Sequence, residues 1–199
     1  MFQTTLDNGL KLIVQENHAS RVASIQVWVR VGSADELPDE AGLAHVHEHM
    51  LFKGTETRPV GSIATEIESA GGNINAFTSF DQTVYHVTMA SQEFETGLDV
   101  LADAVQNSSF QADELEKELE VVLEEVRRGN DMPGRVAFQN LFKTAFSKHP
   151  YSRPVIGYVD TVKSFTRDKI LNFYRKWYRP DNMCLVVVGD VETDNVVSR

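Results

Sequence analysis

The sequence lacks several features that would place it directly in a specialised class of protein. It contains one cysteine, Cys184, so a disulfide framework is excluded, and the apolar run around Cys184 predicts a buried strand residue. No run of about 18 apolar residues occurs, so no membrane-spanning helix is predicted. The first residues lack the basic start and apolar core of a signal peptide, which favours a cytoplasmic protein.

Positive charge is also scarce, because 19 Lys and Arg residues stand against 29 Asp and Glu residues, for a net charge of −10. No cluster of Lys and Arg resembles a nucleic-acid or membrane-binding patch, so neither kind of partner is expected. The 42% apolar and 24% charged content is typical of a globular protein. We find no flexible linker or internal repeat, and we therefore predict a single domain over residues 1–199.

The hydrophobic pattern alternates between strand-like and helix-like periods along the chain. Strands are predicted at residues 2–5, 10–15, 22–31, 73–78, 83–89 and 183–188. Helices are predicted over a histidine-rich segment ending near residue 52 and at residues 62–70, 92–105, 112–128, 136–146 and 167–177. This mixture predicts an α+β fold. Residues 191–199 resemble the first turns of a helix without a completed apolar face, so we expect the domain to be cut from a longer chain.

The motif H-V-H-E-H at residues 45–49 carries the clearest chemistry. On a helix with about 100° per residue, His49 lies about 40° from His45 and Glu48 about 60° away on the other side. His45 and His49 can therefore share one metal ion, and Glu48 beside them can act as a general base. The reversed order H-x-x-E-H is a metallopeptidase signature. His47 lies near 200°, so we predict that it packs or faces solvent.

A catalytic zinc usually has three protein ligands, so a third must come from elsewhere in the chain. The isolated histidines His18, His86 and His149 are interpreted as structural or surface residues. The acidic helix at residues 112–128 is a richer source of ligands. Glu118 and Glu125 lie on the margin of its apolar stripe, whereas Glu116, Glu120 and Glu124 face away from the stripe. Burying two carboxylates without a cation is costly, and a metal ion would remove that cost.

With these motifs in place, the sequence resembles the pitrilysin/insulinase family of zinc peptidases, especially its mitochondrial processing peptidase branch. The resemblance covers nearly all 199 residues. The matching segments are residues 42–55, 71–78 with Asp81, Thr83 and Tyr85, 118–125, and 179–190. The family usually has Phe and Leu where this chain has Val46 and His47, and neither position is expected to be a ligand.

The resemblance implies a fold and a set of roles. The fold is a mixed, mostly antiparallel sheet with helices packed on it. One zinc ion would be bound by His45, His49 and Glu125, with Glu48 as the general base and Glu118 supporting the site from behind. The strand at residues 73–78 would hold an extended peptide through main-chain pairing at Asn75, Ala76 and Phe77. For Asn75, a role as a turn residue at the strand end is an equal alternative.

Members of this family resemble a clamshell, in which a second, similar half closes over the peptide or unfolded polypeptide. That half is expected in the same longer chain or in a partner subunit, and a dimer is compatible with either arrangement. The 199-residue piece is therefore expected to bind zinc but to cleave peptides poorly alone. Two alternatives are a non-catalytic scaffold subunit of the same fold and a structural metal-binding protein without an open coordination position.

Overall fold

One six-stranded sheet organises the chain in the computed structural model, which describes residues 1–199. The strands are β1 (Phe2–Thr5), β2 (Lys11–Glu16), β3 (Val22–Val29), β4 (Asn73–Thr78), β5 (Thr83–Ala90) and β6 (Met183–Gly189). Their order in the sheet is β1-β2-β6-β3-β5-β4. Only β2 and β6 pair in parallel, and the other neighbours are antiparallel. The predicted α+β fold with a mixed, mostly antiparallel sheet is confirmed.

Eight α-helices accompany the sheet. They are α1 (Leu43–Leu51), α2 (Ser62–Ser69), α3 (Phe94–Asn107), α4 (Ala112–Asn130), α5 (Pro133–Ala145), α6 (Val159–Lys163), α7 (Arg167–Trp177) and α8 (Thr193–Val197). Helix α5 begins three residues earlier than predicted, because Pro133 occupies its first turn, where a missing N–H costs nothing. The short helix α6 was not predicted. None of the helices is both long enough and apolar enough to span a membrane.

The sheet buries one face under the helices, as the alternation in β3 predicts. Ile25 and Val29 are completely buried, whereas Gln26 and Trp28 on the opposite face are only half-buried. The prediction that β6 is a buried strand is only partly right, because Val187 is buried but its neighbours are half-covered. Alternation along the strand turns Cys184, Val186 and Val188 to the opposite face, where all three are half-buried. Met183 and Leu185 share the face of Val187 but are also half-covered.

Helix α1 occupies the position that assembles the site. It contacts β4, α4 and α7, so one side of it meets the edge of the sheet and another meets the long acidic helix. Val46 and Met50 are fully buried and fix the rotation of α1 about its axis. The face that carries His45 and His49 is thereby directed toward α4.

Candidate metal centre

Helix α1 begins at a backbone position that suits only glycine. Gly42 has a φ of 98°, and a Cβ there would lie 2.6 Å from the carbonyl oxygen of Ile156. The buried carboxyl group of Glu36 accepts hydrogen bonds from the N–H groups of Gly42 at 3.0 Å and Ala44 at 2.7 Å. Burial raises the pKa of Glu36 to about 8, although these bonds and Arg153 act to lower it. The first turn of α1 is therefore held by a side chain from the preceding loop.

Two histidines of α1 and one glutamate of α4 converge on a single point. The rings of His45 and His49 lie side by side, with centroids 4.8 Å apart. Glu125 Oε2 lies 3.6 Å from His45 Nε2 and 3.8 Å from His49 Nε2. One ligand atom from each of the three residues falls within 4.8 Å of the others. The structure thus brings together the three residues that the sequence predicted as ligands.

This donor set fits a zinc ion. Tetrahedral coordination at the usual Zn–N and Zn–O bond lengths places neighbouring ligand atoms about 3.4 Å apart, close to the two distances from Glu125. Burial lowers the pKa of His45 to about 3, so its imidazole is neutral and has a lone pair to donate. Two imidazoles and one carboxylate are a combination that zinc accepts readily.

Glu118 lies behind His49, next to its Nδ1 atom. Its Oε2 lies 3.2 Å from His49 Nδ1, and its Oε1 lies 2.6 Å from Lys53 Nζ. The carboxyl group is buried, which acts to raise its pKa, but its bonds to His49 and Lys53 outweigh burial and lower the pKa. The same contact raises the pKa of His49 against the opposing effect of burial. A ring nitrogen bonded in this way fixes the orientation of the other nitrogen.

Glu124 and Glu125 have different surroundings although they are neighbours on α4. Glu124 pairs with Arg127 at 3.1 Å and with Arg128 at 3.6 Å on the solvent side. Glu125 faces the histidines with one carboxylate oxygen, and its other oxygen lies 3.5 Å from Arg135 Nη1. Its side chain remains 38% exposed, so Glu125 borders an open cleft, whereas Glu118 is enclosed.

Glu48 lies beside the histidines and is held by β4. Thr78 Oγ1 donates a hydrogen bond of 2.5 Å to Glu48 Oε2. Burial raises the pKa of Glu48, and the bond from Thr78 acts in the opposite direction. A carboxylate whose pKa is raised toward neutrality is better matched to accepting a proton from water and returning it. The arrangement suits a general base.

His47 points away from this cluster, as the helical geometry predicted, into a fully buried aromatic cage. The rings of Tyr178, Phe110, Phe173 and Tyr174 lie 4.4, 4.8, 5.6 and 5.7 Å from its ring. Neither ring nitrogen has a hydrogen-bond partner. Burial lowers the pKa of His47 to about 3, so the ring is neutral and packs as an aromatic group.

The predicted peptide-binding strand β4 forms one edge of the sheet, because it pairs only with β5. Asn75 and Phe77 are exposed on the face opposite to Thr78, so their side chains do not point toward Glu48. Asn75 Oδ1 accepts a hydrogen bond from the N–H of Ala76 at 2.8 Å. What lies next to the site is therefore the main chain of this strand and the Thr78 hydroxyl, rather than the Asn75 amide.

The three isolated histidines lie outside the cluster. His18 pairs with Asp190 at 2.7 Å, His86 lies on β5, and His149 Nδ1 accepts a hydrogen bond from the N–H of Tyr151 at a turn.

Sequence reasoning missed four residues that shape the site: Glu36, Lys53, Thr78 and Arg135. Each acts through a contact with a different helix, strand or loop, and no periodic pattern marks such a contact.

Comparison with known proteins places this geometry in a family. The sequence profile described as "Insulinase (Peptidase family M16)" matches residues 11–158, and that of the "Peptidase M16 inactive domain" matches residues 164–198. The chain therefore belongs to the insulinase family, M16, of zinc metallopeptidases, as the resemblance predicted. The first profile alone covers about three quarters of the chain and includes every residue of the candidate centre.

Individual relatives agree with this assignment. An uncharacterized zinc protease from Mycobacterium leprae is 39% identical over 98% of this chain and 44% of its own length. A probable mitochondrial-processing peptidase subunit beta from Arabidopsis thaliana is 36% identical over 98% of this chain and 37% of its own length. The crystal structure of a protease from Helicobacter pylori superposes with a TM-score of 0.95 at 32% identity, covering 99% of this chain and 48% of that one. The chain thus spans less than half the length of these relatives.

Proposed function

We propose that this chain is the water-activating domain of a zinc-dependent endopeptidase that hydrolyses peptides or unfolded polypeptides. The observation that carries the proposal is the convergence of His45, His49 and Glu125 within 4.8 Å, with Glu48 beside them. His45 Nε2, His49 Nε2 and a Glu125 oxygen would hold one zinc ion. This leaves a fourth position open, as catalytic zinc sites require.

Each residue of the chain has a defined task in this chemistry. Bound zinc supplies Lewis acidity, which lowers the pKa of water to about 7 and polarises the scissile carbonyl. Glu48, held by Thr78, would accept the proton of the attacking water and pass it to the leaving amine. Glu118 would keep His49 oriented, and Lys53 would keep Glu118 ionised.

Substrate would bind as an additional strand at the open edge of β4. An extended peptide can pair with the main chain of such an edge without a sequence requirement. The N–H of Ala76 bonds to Asn75 Oδ1, so a peptide carbonyl would replace that side chain. Pairing along Asn75, Ala76 and Phe77 would bring the peptide to the end of β4, where Thr78 bonds to Glu48.

Some of the contacts that bind the substrate would come from outside this chain. The exposed side of Glu125 indicates that the cleft is open on one side, and the relatives are more than twice as long as this chain. We assign residues 1–199 to an N-terminal catalytic domain and expect a second, similar half in the same longer protein or in a partner subunit. The 199-residue chain alone would bind zinc and cleave unstructured peptides slowly.

The test is a Glu48→Gln substitution in the longer protein, with Glu124→Gln as the matched control. Peptide hydrolysis should fall by at least a hundredfold in Glu48→Gln, the lower range for loss of a general base, while zinc content stays at one ion. Glu124→Gln should retain both. Full activity in Glu48→Gln would point to a structural metal site instead, and absence of zinc from the unsubstituted protein would point to a scaffold. Rapid turnover by the 199-residue chain alone would contradict the need for a second half.

A further inference from the structure

A short connector, residues 108–111, joins α3 to α4 through an unusual backbone conformation. Within it, Phe110 has a φ of 45° and is the only residue other than glycine with a positive φ. An L-residue in this left-handed region is strained, because its Cβ crowds the following carbonyl oxygen, whereas glycine adopts the same conformation freely. Such strain persists only where the surrounding structure enforces it, and it is concentrated at functional sites.

The Phe110 side chain shows why this position does not carry a glycine. The residue is 1% exposed, and its ring lies 4.8 Å from the ring of His47 and 5.2 Å from the ring of Tyr174. His47 stands on α1 between the two proposed zinc ligands, and Tyr174 belongs to α7. The position therefore needs a left-handed backbone to begin α4 and, at the same time, a large ring to fill the space between α1 and α7.

The connector also holds the C-terminal end of α1. Ser108 Oγ donates a hydrogen bond of 3.2 Å to the carbonyl oxygen of Leu51. The last carbonyl groups of a helix have no partner within the helix, so this bond satisfies an acceptor that would otherwise be open. Ser109 donates to the carbonyl oxygen of Gly54 from its N–H at 3.0 Å and from its hydroxyl at 3.1 Å. The end of α1 and the start of α4 are thus attached to the same few residues.

Arg167, the first residue of α7, fixes the strained position. Its Nε donates a hydrogen bond of 2.7 Å to Phe110 O, and its Nη2 donates one of 3.1 Å to Ser109 O. Two bonds from one planar guanidinium set the directions of both carbonyl groups. The next carbonyl, of Gln111, accepts the N–H of Leu115 at 3.0 Å in the bond that opens α4. Arg167 therefore controls the direction in which α4 leaves the connector.

Small changes in this direction become large at the metal centre. Glu125 lies about 20 Å along α4 from Ala112, at 1.5 Å per residue, so a tilt of α4 by about 3° at its start would move the Glu125 carboxylate by about 1 Å. Bond lengths in a metal site tolerate deviations of only about 0.2 Å. Zinc affinity should therefore respond to a displacement that is too small to unfold the domain.

We propose that Phe110 and Arg167 are positioning residues for the metal centre, acting through the helices that carry its ligands. Phe110 sets the position of α1, which carries His45 and His49. Arg167 sets the direction of α4, which carries Glu125. The inference rests on the proposed zinc peptidase function.

The experiment measures the zinc dissociation constant of each variant by competition with a chelator, together with the unfolding temperature of the metal-free protein. Residues that affect a site without touching its ligand change the affinity by about 2- to 30-fold. Phe110→Leu keeps an apolar side chain but loses the ring, and it should weaken zinc binding about tenfold. Arg167→Gln removes the paired bonds to the connector and should weaken zinc binding at least about threefold.

Two controls separate positioning from a general loss of stability. Phe94 is 3% exposed and lies at the opposite end of α3, where it borders a surface pocket together with Val191. Phe94→Leu should lower the unfolding temperature about as much as Phe110→Leu does, because both remove a buried ring, but it should leave the zinc dissociation constant unchanged. Arg175→Gln, at an exposed position of α7, is the corresponding control for Arg167→Gln.

The visible absorption of the cobalt-loaded protein gives a second readout, because its bands depend on the arrangement of the ligands. The bands should change in Phe110→Leu and Arg167→Gln and stay the same in both controls. If Phe110→Leu does not fold, Arg167→Gln decides the question alone.

Zinc affinities within about twofold of the unsubstituted protein in the connector variants would overturn the inference and leave the proposed function intact. An equal loss of affinity in Phe94→Leu would also overturn it, since destabilisation alone would then account for the effect. Failure of the unsubstituted protein to bind zinc would overturn the proposed function together with this inference.

Discussion

Removing the carboxylate of Glu125 should break the metal site while leaving the fold intact. One oxygen of the Glu125 carboxylate lies 3.6 Å from His45 Nε2 and 3.8 Å from His49 Nε2. Glu125→Gln replaces this carboxylate with a neutral amide, which is a weak zinc ligand. The side chain is 38% exposed, and its only other charged contact is Arg135 at 3.5 Å. Partly exposed ion pairs contribute at most about 1 kcal/mol, so the metal-free variant should unfold at nearly the wild-type temperature.

The size of the effect follows from linkage between metal binding and folding. Changing a residue that supports a metal ligand costs 10- to 100-fold in affinity, so loss of a direct ligand should cost on the order of 100-fold or more. At free zinc equal to 100 times the wild-type dissociation constant, zinc stabilises the wild type by about 2.7 kcal/mol. The same zinc concentration would stabilise Glu125→Gln by only about 0.4 kcal/mol. For a domain of this size, zinc should then raise the Tm by about 5–11 °C in the wild type and about 1–2 °C in the variant.

The assay is thermal unfolding with and without zinc, combined with elemental analysis of the dialysed proteins. Glu124→Gln is the matched control on the same helix, and it should respond to zinc as the wild type does, because Glu124 pairs with Arg127 and Arg128. Glu118→Gln should give an intermediate response through its contact with His49. A wild-type response in Glu125→Gln, or a loss in Glu124→Gln instead, would refute the assignment of the third ligand.

Three further predictions concern the packing around α1. His47→Leu removes two unpartnered ring nitrogens and should raise the free energy of unfolding at pH 7 by about 1 kcal/mol. Burial lowers the pKa of His47 to about 3, so between pH 6.5 and 3 only the unfolded state binds a proton at this imidazole, and wild-type stability falls on acidification. The advantage of the variant should therefore grow by about 2 kcal/mol at pH 5. Denaturant titrations that show a constant difference between the two proteins would refute this. Gly42→Ala should lower the free energy of unfolding by at least about 2 kcal/mol in the same titrations, since residue 42 has a φ of 98° and a Cβ there would lie 2.6 Å from Ile156 O. Gly134→Ala is the control, because open space surrounds that position, and it should leave the free energy of unfolding unchanged. Burial raises the pKa of Glu36 to about 8, so between pH 4.5 and 8 the folded state keeps a proton on this side chain that the unfolded state has lost. This proton should make the free energy of unfolding of the wild type fall with rising pH, by up to about 1.4 kcal/mol per pH unit. An identical pH profile in Glu36→Gln would contradict this.

Local periodicity predicted the parts of the site that lie on single helices. The 100° rotation per residue separated His47 from His45 and His49, and it separated Glu125 from Glu124. The structure places each of these side chains on the predicted side, because α1 and α4 are each amphipathic and each has one way to bury its apolar stripe. The family resemblance, rather than periodicity, selected which carboxylate of α4 would be the ligand.

Contacts between distant segments could not be predicted in this way. The bond from Thr78 to Glu48 joins a strand end to a helix, and Arg135 reaches Glu125 from the next helix, so neither leaves a periodic signal. Helix α6 was missed because it has five residues, of which only Val162 is buried, too few to show an apolar face. The parallel pairing of β2 with β6 likewise depends on more than 160 intervening residues and on no motif within either strand.

That parallel pair has a consequence for the order in which the protein can fold. Strand β6, from Met183 to Gly189, lies between β2 and β3, so it alone joins the β1–β2 hairpin to the remaining strands. During synthesis, β1 and β2 are therefore joined to the other strands only after a strand made some 170 residues later has been added. Such long-range pairing is slow to form. The interval leaves one edge of β2 and one edge of β3 without a partner strand on the nascent chain, and these edges are where a chaperone would have the most to protect.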